Sequence, residues 1–206
     1  MNLVTPVVTD DQQHASTARS RDADATRRLL LQSARRRFAL DGYSATKVRD
    51  IATDAGVNVA LINRYFDSKE GLFESCLSYV AEELGRPTSS SLGRVVDSVV
   101  SRVASPLTAE GMLQLLLLIR TSGDERADRI RRDTLHSFAE RIAGVAGWRA
   151  GDGDDLLLRA EIAICTALGI ALLRSTTGLD PLTSATEADL AKPIEDVFSA
   201  LLGTDA

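Results

Sequence analysis

The chain has 206 residues, a formal net charge of −5, and is 44% hydrophobic but only 4% aromatic. That size allows one medium domain or a small domain followed by a larger one. The longest apolar run, 162–173, is shorter than the ~20 residues that cross a bilayer, and the polar N-terminus lacks the pattern of a secretory signal. The two cysteines have no paired spacing, so neither a zinc site nor a disulfide is predicted. We expect a cytoplasmic protein without metal or cofactor.

Basic residues are concentrated near the N-terminus. From Arg19 to Lys69 there are eleven Lys or Arg and six Asp, so that window carries +5 and the rest of the chain carries −10. A basic segment on an acidic body is expected where one end of a protein meets a polyanion such as nucleic acid.

Four helices are predicted in the first 85 residues. Residues 1–22 have no hydrophobic period and indicate a disordered arm, whose Arg19 and Arg21 are less favoured candidates for minor-groove contact. Apolar residues then recur every four positions over 25–40, which predicts an amphipathic helix. A second helix follows, then a third that ends near residue 65 and a fourth that ends near 84. The expected N-caps of these three helices are Thr46, Asn58 and Asp67.

Five further helices and no strands are predicted beyond a polar boundary at 85–91. The segments are 92–103, 109–121, 125–145, 154–177 and 187–202. Pro193 is expected to kink or restart the last helix, because its ring cannot donate a helix hydrogen bond. The predicted fold is all-α, with a three-helix helix-turn-helix domain at 23–67 and a larger helical domain at 68–206 whose first helix, 68–85, connects the two.

Three cations are predicted at helix starts, where the helix dipole opposes them. Lys47 and Arg49 follow the expected cap Thr46, and Lys69 follows the expected cap Asp67. Each placement costs roughly 0.3–1 kcal/mol unless an anion binds the free N–H groups. The alternative for each is a solvated surface charge, but their joint placement favours contact with a DNA backbone. For the arginines at 35–37 we favour the solvated alternative.

The short third helix is predicted to present a small face to solvent. At about 100° per residue, Ile62 and Phe66 point inward, and Leu61 is equally compatible with either side. On the outer face, arginine can pair with guanine, asparagine with adenine and apolar groups with a thymine methyl. The predicted DNA-binding residues are Lys47, Arg49, Asn58, Val59, Ala60, Asn63, Arg64, Tyr65 and Lys69.

This region resembles the helix-turn-helix of the tetracycline-repressor (TetR) family of bacterial regulators. The matching residues are Gly42, Tyr43, Thr46, Val48, Arg49, Ile51, Ala52, Ala55, Gly56, Val57, Phe66, Ser68, Lys69 and Leu72. The resemblance covers about 25–85. It implies a homodimer with phosphate contacts near Lys47, Tyr65 and Lys69, groove contacts from 59–64, and an effector-binding and dimerisation domain at 68–206. Position 63, often tyrosine in the family, is asparagine here and is left available for a base contact.

Candidate residues in the second half are supported by weaker patterns. A ridge of alanines at spacing four is expected at a dimer seam, with ordinary intrachain packing as the alternative. The predicted seam residues are Ala163, Ala167, Ile170, Ala171 and Phe198. The candidate ligand-binding residues are Leu116, Arg120, His136, Phe138 and Arg174, and for each of them a structural role is the alternative. Few aromatics in this half favour an aliphatic pocket and a lipophilic effector.

Three functions are compatible with these patterns. The favoured one is a dimeric repressor that a small molecule releases from a palindromic operator. The second is a helical ligand-binding or interaction module of the same fold without operator function. The third, an enzyme that uses Cys76 and His136, has no supporting motif, so we expect a protein that is not an enzyme.

Overall fold

The computed structural model describes the backbone of residues 10–85 and 91–203 and the side chains of residues 21–82 and 91–203. Within those ranges every regular element is a helix, which confirms the predicted all-α fold. The helices are α1 (Asp10–Leu40), α2 (Val48–Asp54), α3 (Ala60–Phe66), α4 (Lys69–Gly85), α5 (Leu92–Ala104), α6 (Ala109–Ile119), α7 (Glu125–Val145), α8 (Asp155–Thr176) and α9 (Glu187–Leu202). From α5 onward each helix begins and ends within two residues of its predicted bounds.

Helix α1 is longer than predicted. It begins at Asp10, so the prediction of a disordered arm is wrong for residues 10–22, and residues 1–9 lie outside the described part. Glutamine, alanine and arginine, which are common in 10–22, are good helix formers, and extending an existing helix avoids the cost of nucleation. The Arg21 side chain is exposed, and that of Arg19 lies outside the described side chains.

Two of the three predicted N-caps are wrong. Thr46 is buried, and its hydroxyl donates to the Gly42 carbonyl at 2.7 Å, so that Lys47 occupies the N-cap of α2. Asp67 ends α3 with a φ of +64°, and the cap of α4 is Ser68, whose Oγ accepts the Gly71 N–H at 3.0 Å. A threonine hydroxyl can bond back to the carbonyl four residues earlier, and this bond competes with capping.

The prediction for Asn58 is closer to the structure. Its Oδ1 accepts the Ala60 N–H at 2.8 Å, immediately before α3, although Val59 holds the formal N-cap position. Pro193 does not restart the last helix, because α9 continues through it as one element.

Two hydrophobic cores divide the described residues. The first core joins α1–α4 to the end of α6 and the start of α7, through Leu117, Leu118 and Ala127. The second is formed by α5, α7, α8 and α9. Helix α4, on the C-terminal side of the predicted division at 68, contributes Leu72 and Phe73 to the first core. Helix α7, which contributes Ala127 to the first core and Ala139 and Ile142 to the second, ties the two cores together.

The arginines of α1 differ in their roles. Arg36 is exposed as expected, but Arg35 is buried, lies 4.1 Å from the centroid of the Tyr79 ring and pairs with Glu110 on α6. Arg37 pairs with a carboxylate at the end of α2, as described below. A solvated face is therefore wrong for two of the three, because α2 and α6 pack close enough to supply partners.

Candidate DNA-binding face and internal cavity

Helices α2 and α3 are held in a fixed relation by a small core and a tight turn. Ile51, Ile62 and Phe66 are buried between α1 and α4. The turn passes through Gly56, whose φ of +67° favours glycine, and the Val57 N–H returns to the carbonyl of residue 52. These contacts fix the direction in which the outer side of α3 points.

A salt bridge secures the end of α2 to α1. Arg37 donates from Nε to Asp54 Oδ2 at 2.6 Å and from a terminal nitrogen to Oδ1 at 2.9 Å. This two-point contact holds the pKa of Asp54 below its usual range, and it limits rotation of α2 against α1.

The outer side of α3 faces solvent as predicted. Val59 is 37% exposed, and Ala60, Asn63 and Arg64 are also exposed. Leu61, which the sequence placed equally well on either side of α3, is half-buried against the first core and therefore belongs to the packed side. We call the exposed set Val59, Ala60, Asn63 and Arg64 the reading face. It combines an amide, a guanidinium and two small apolar groups, the chemistry that distinguishes base pairs in a major groove.

Lys47 and Arg49 lie at the start of α2, the helix that precedes the turn into α3. Both are exposed, and within the described part of the chain no carboxylate forms an ion pair with either of them. Tyr65 is half-buried, with the Arg64 guanidinium 5.9 Å from its ring centroid. The two cations at the start of α2 are thus available to an external anion.

Lys69 is placed differently from the other two cations. Its Nζ lies 4.2 Å from the centroid of the Tyr43 ring. Tyr43 stacks with Phe38 at a centroid distance of 5.5 Å and contacts the tilted ring of Phe73 at 5.0 Å. Partial burial lowers the pKa of Lys69. To reach a phosphate this ammonium must leave the ring face, so it is a weaker candidate than Lys47 or Arg49.

A cavity of about 600 Å³ lies in the second core. Its walls come from α5, α6, α7 and α8, with Phe198 of α9. Exposed residues such as Ser105 and Pro106 of the α5–α6 loop also line it, so the cavity opens to solvent. The volume falls within the range of small-molecule sites, roughly 300–1,000 Å³.

Four of the five candidate ligand residues do not line this cavity. Only Phe138 does. Leu116 packs on the first core, and exposed His136 lies 3.5 Å from a carboxylate oxygen of Glu161. The remaining two are arginines that donate to backbone carbonyls. Arg120 bonds to the carbonyls of Ala39 and Leu40, and Arg174 to those of Ala104, Leu182 and Ala185.

Two of the five predicted seam residues are buried inside the chain. Ala163 and Phe198 are 0% and 1% exposed, so neither can touch a second subunit. Ala167 and Ala171 line the cavity, and Ile170 packs against the second core. The burial of Ala163 and Phe198 shows that their assignment to a seam is wrong. Ala167, Ile170 and Ala171 are partly exposed, and their assignment stays a prediction.

The opposite side of α8 carries an apolar stripe that the sequence analysis missed. Leu158 is 54% and Ile162 44% exposed, and Leu173 is 40% exposed on the same side. With Cys165 and Gly169 these residues follow a spacing of four, three, four and four, a signal readable from the sequence. The unbroken apolar run is shorter than a membrane span, but α8 as a whole is long and apolar enough to cross a membrane by length and composition, with 22% of that segment buried. The bent pair α5–α6 passes the same test, which core helices of soluble proteins also pass.

The thiol proposed for catalysis is inaccessible. Cys76 is 0% exposed, and burial raises the pKa of its thiol. His136, its suggested partner, is on the exposed side of α7. A buried neutral thiol is a poor nucleophile, so this pair does not support the enzyme alternative.

Two family models match the chain. The model described as bacterial regulatory proteins of the tetR family matches residues 30–76. The model described as a tetracyclin repressor-like C-terminal domain matches residues 92–202, more than half of the chain. The first match contains α2, the turn and α3, and the second contains every helix that lines the cavity.

Curated relatives match less than half of the chain. The chain is 34% identical over 92 residues to the probable HTH-type transcriptional regulator YttP of Bacillus subtilis, an alignment that covers 45% of this chain and 41% of that protein. It is 35% identical over 69 residues to the HTH-type transcriptional repressor NicS of Pseudomonas putida, covering 34% of this chain and 32% of that protein. The chain thus spans less than half the length of these relatives.

Solved structures match the fold over most of the chain. NalD, the secondary repressor of the MexAB-OprM multidrug efflux pump in Pseudomonas aeruginosa, has a TM-score of 0.63 at 24% identity and covers 89% of this chain and 98% of its own. A TetR-family regulator of Streptomyces coelicolor has a TM-score of 0.57 at 24% identity, covering 88% and 96%. Together with the family models, these findings show that the chain belongs to the TetR family of bacterial regulatory proteins.

Proposed function

We propose that this protein is a cytoplasmic, homodimeric transcriptional repressor that binds a palindromic operator and is released by a small molecule in its C-terminal cavity. The observation that carries the proposal is the exposed reading face on α3, together with two exposed cations at the start of α2 that have no ion-pair partner in the described part of the chain. Base contacts from that face would select the sequence, and phosphate contacts from Lys47 and Arg49 would set its register on the duplex.

The exposed stripe of α8 supports a dimer. An apolar face of this length is costly to leave in water, and one that repeats along a helix fits a copy of itself across a two-fold axis. Two recognition helices held one DNA turn apart, about 34–36 Å, fit successive major grooves. A dimer seam on the stripe also accounts for the apolar composition of α8 without a membrane.

Helix α6 supports control of DNA binding by the cavity. Its residues Gly111 and Leu115 line the cavity, and at either end of α6 a charged side chain is bonded to α1. Glu110 pairs with Arg35 at 2.8 Å, and Arg120 donates to the Leu40 carbonyl at 2.5 Å. A ligand that prefers a shifted α6 would therefore bias the position of α1, and through it α2 and α3, by its differential affinity.

The alternative is a helical module of the same fold that has no operator function. One experiment distinguishes it from this proposal. Selection on random duplexes would enrich a palindrome only if the reading face binds DNA. Lys47 and Arg49 are exposed and have no ion-pair partner among the described residues. This favours the regulator, because the helix dipole disfavours cations at the start of α2 unless an anion binds there.

The phosphate contacts are tested by Lys47→Ala and Arg49→Ala on an operator obtained by selection. Each substitution is expected to weaken binding to all duplexes similarly and to lower the slope of log affinity against log salt by about one. Titration at several salt concentrations measures both quantities. Arg132→Ala on α7, also exposed, is the control and should leave the slope unchanged. An unchanged slope for both test variants would show that neither cation meets a phosphate.

A further inference from the structure

The charged side chains among the described residues of the cavity lining are all basic. Arg94 and Arg102 on α5 and Arg141 on α7 line it, and no Asp or Glu is among the described residues of the lining. The chain as a whole has 29 acidic against 24 basic residues, so the charge of the lining is opposite in sign to that of the chain.

The arginines belong to the solvent-exposed part of the lining, where the cavity opens. All three are exposed, and Arg94 and Arg102 are eight residues apart on α5, which places them about 12 Å apart along the helix axis. The Arg141 guanidinium is 5.4 Å from the centroid of the Phe138 ring, which also lines the cavity. In the described part of the chain neither Arg94 nor Arg141 forms an ion pair with a carboxylate.

The deeper lining is aliphatic. Its buried members include Val103, Leu115, Ile142, Ala163 and Ile164. Phe138 and Phe198 supply the only aromatic rings among the described lining residues, so the walls offer few planar surfaces for stacking a flat ring system. The space is created by the alanines of α8, which project little into it.

We propose that the effector is an amphiphilic anion, with an aliphatic body in the second core and a carboxylate or phosphate head at the mouth held by Arg94 or Arg141. This inference rests on the proposed function, since it names the ligand of the same cavity. An arginine without a carboxylate partner can form a charge-assisted bond to such a head group, while the acid-free lining gives a cationic head no counter-charge. The aliphatic lining matches an acyl chain.

Binding of four probes of equal chain length tests the proposal. Dodecanoate, dodecyl phosphate, dodecanol and dodecylammonium are titrated below their micellar concentrations into the full chain, with calorimetry as the readout. One of the two anions is expected to bind at least tenfold tighter than dodecanol and dodecylammonium, and the tighter anion identifies the head group. Equal affinity of all four, preference for the amine or the alcohol, or no binding of either anion would overturn it.

Charge-removing variants locate the head group. Arg94→Met or Arg141→Met is expected to weaken the preferred anion by tenfold or more while leaving dodecanol unchanged, and the lysine variant at the same position should restore most of the loss. Arg132→Met, on α7 but outside the cavity lining, is the matched control. Full affinity in the Arg94→Met/Arg141→Met double variant, with an unchanged melting temperature, would contradict the assignment.

Measuring operator affinity with and without the anion distinguishes a failure of this inference from a failure of the proposed function. If the anion binds with the expected selectivity but the operator affinity stays the same, the ligand class stands and release by that ligand fails. If the operator is released by a neutral or cationic compound instead, the regulator stands and the anionic class is wrong.

Discussion

Replacing Ile162 by arginine is expected to make the protein monomeric and to weaken operator binding by roughly 100-fold or more. Ile162 is 44% exposed in the middle of the α8 stripe. In a dimer it would be buried against the same stripe of the partner. Burying two unpaired guanidinium groups there would cost more free energy than the contact between the two stripes contributes. A monomer binds only one half-site. It therefore loses the additional affinity that a dimer obtains by binding both half-sites at once. Sedimentation measures the mass, and fluorescence anisotropy with a labelled operator measures the affinity.

Ile119→Arg provides a closely matched control. Ile119 is 45% exposed at the end of α6, outside the stripe, so the same chemical change there should leave the protein dimeric. If Ile162→Arg remains a dimer with full operator affinity, the stripe is not the seam. If Ile119→Arg is also monomeric, arginine destabilises the chain in general.

Asn63→Ala and Arg64→Ala are expected to give the second largest effects. A bidentate contact to a base is worth roughly 1–3 kcal/mol, so each substitution should weaken operator binding by about 5- to 150-fold. Binding to unrelated duplex should change little for Asn63→Ala, because an amide carries no charge to a phosphate. Competition between operator and unrelated DNA measures this specificity ratio for each variant.

The melting temperature controls for unfolding in both variants. Asn63 and Arg64 are exposed and outside the buried part of α3, so their removal should cost little stability. A specificity ratio that stays at the wild-type value in both variants would mean that α3 does not read the bases.

Helix positions could be predicted from the sequence because they depend on local periodicity. The helices α5 to α9 follow apolar repeats of three to four residues with polar breaks between them, and α3 has two inward residues, Ile62 and Phe66, that fix its orientation. The reading face followed directly, since its four residues lie on the side opposite to these two. The start of α1 was missed because a polar helix has no such period.

The caps depend on interactions that the local sequence does not decide. Thr46 and Ser68 are both good N-caps by residue type. Thr46 is buried and turns back to the Gly42 carbonyl, whereas Ser68 caps α4 in place of Asp67. Which of two neighbouring hydroxyl or carboxylate groups caps a helix depends on packing around the turn.

The cavity and the seam could not be separated by pattern alone, because α8 is apolar on two sides. Small residues such as Ala163 and Ala167 suit either close helix contact or an open space, and only the neighbouring α5 and α7 show that they border a cavity. Arg120 was missed as a link between α6 and α1, because its partners are the carbonyls of Ala39 and Leu40, some 80 residues earlier. Backbone acceptors leave no sequence signal.

The central claim is that the exposed side of α3 recognises bases. It is tested most directly by selecting duplexes from a random pool, once with the wild-type chain and once with Asn63→Ala. We expect the wild type to enrich a palindrome with half-sites one helical turn apart, and Asn63→Ala to enrich the same palindrome with one symmetric pair of positions relaxed. Enrichment of no palindrome by the wild type, or of the identical site by both chains, would contradict the assignment of base recognition to the exposed side of α3.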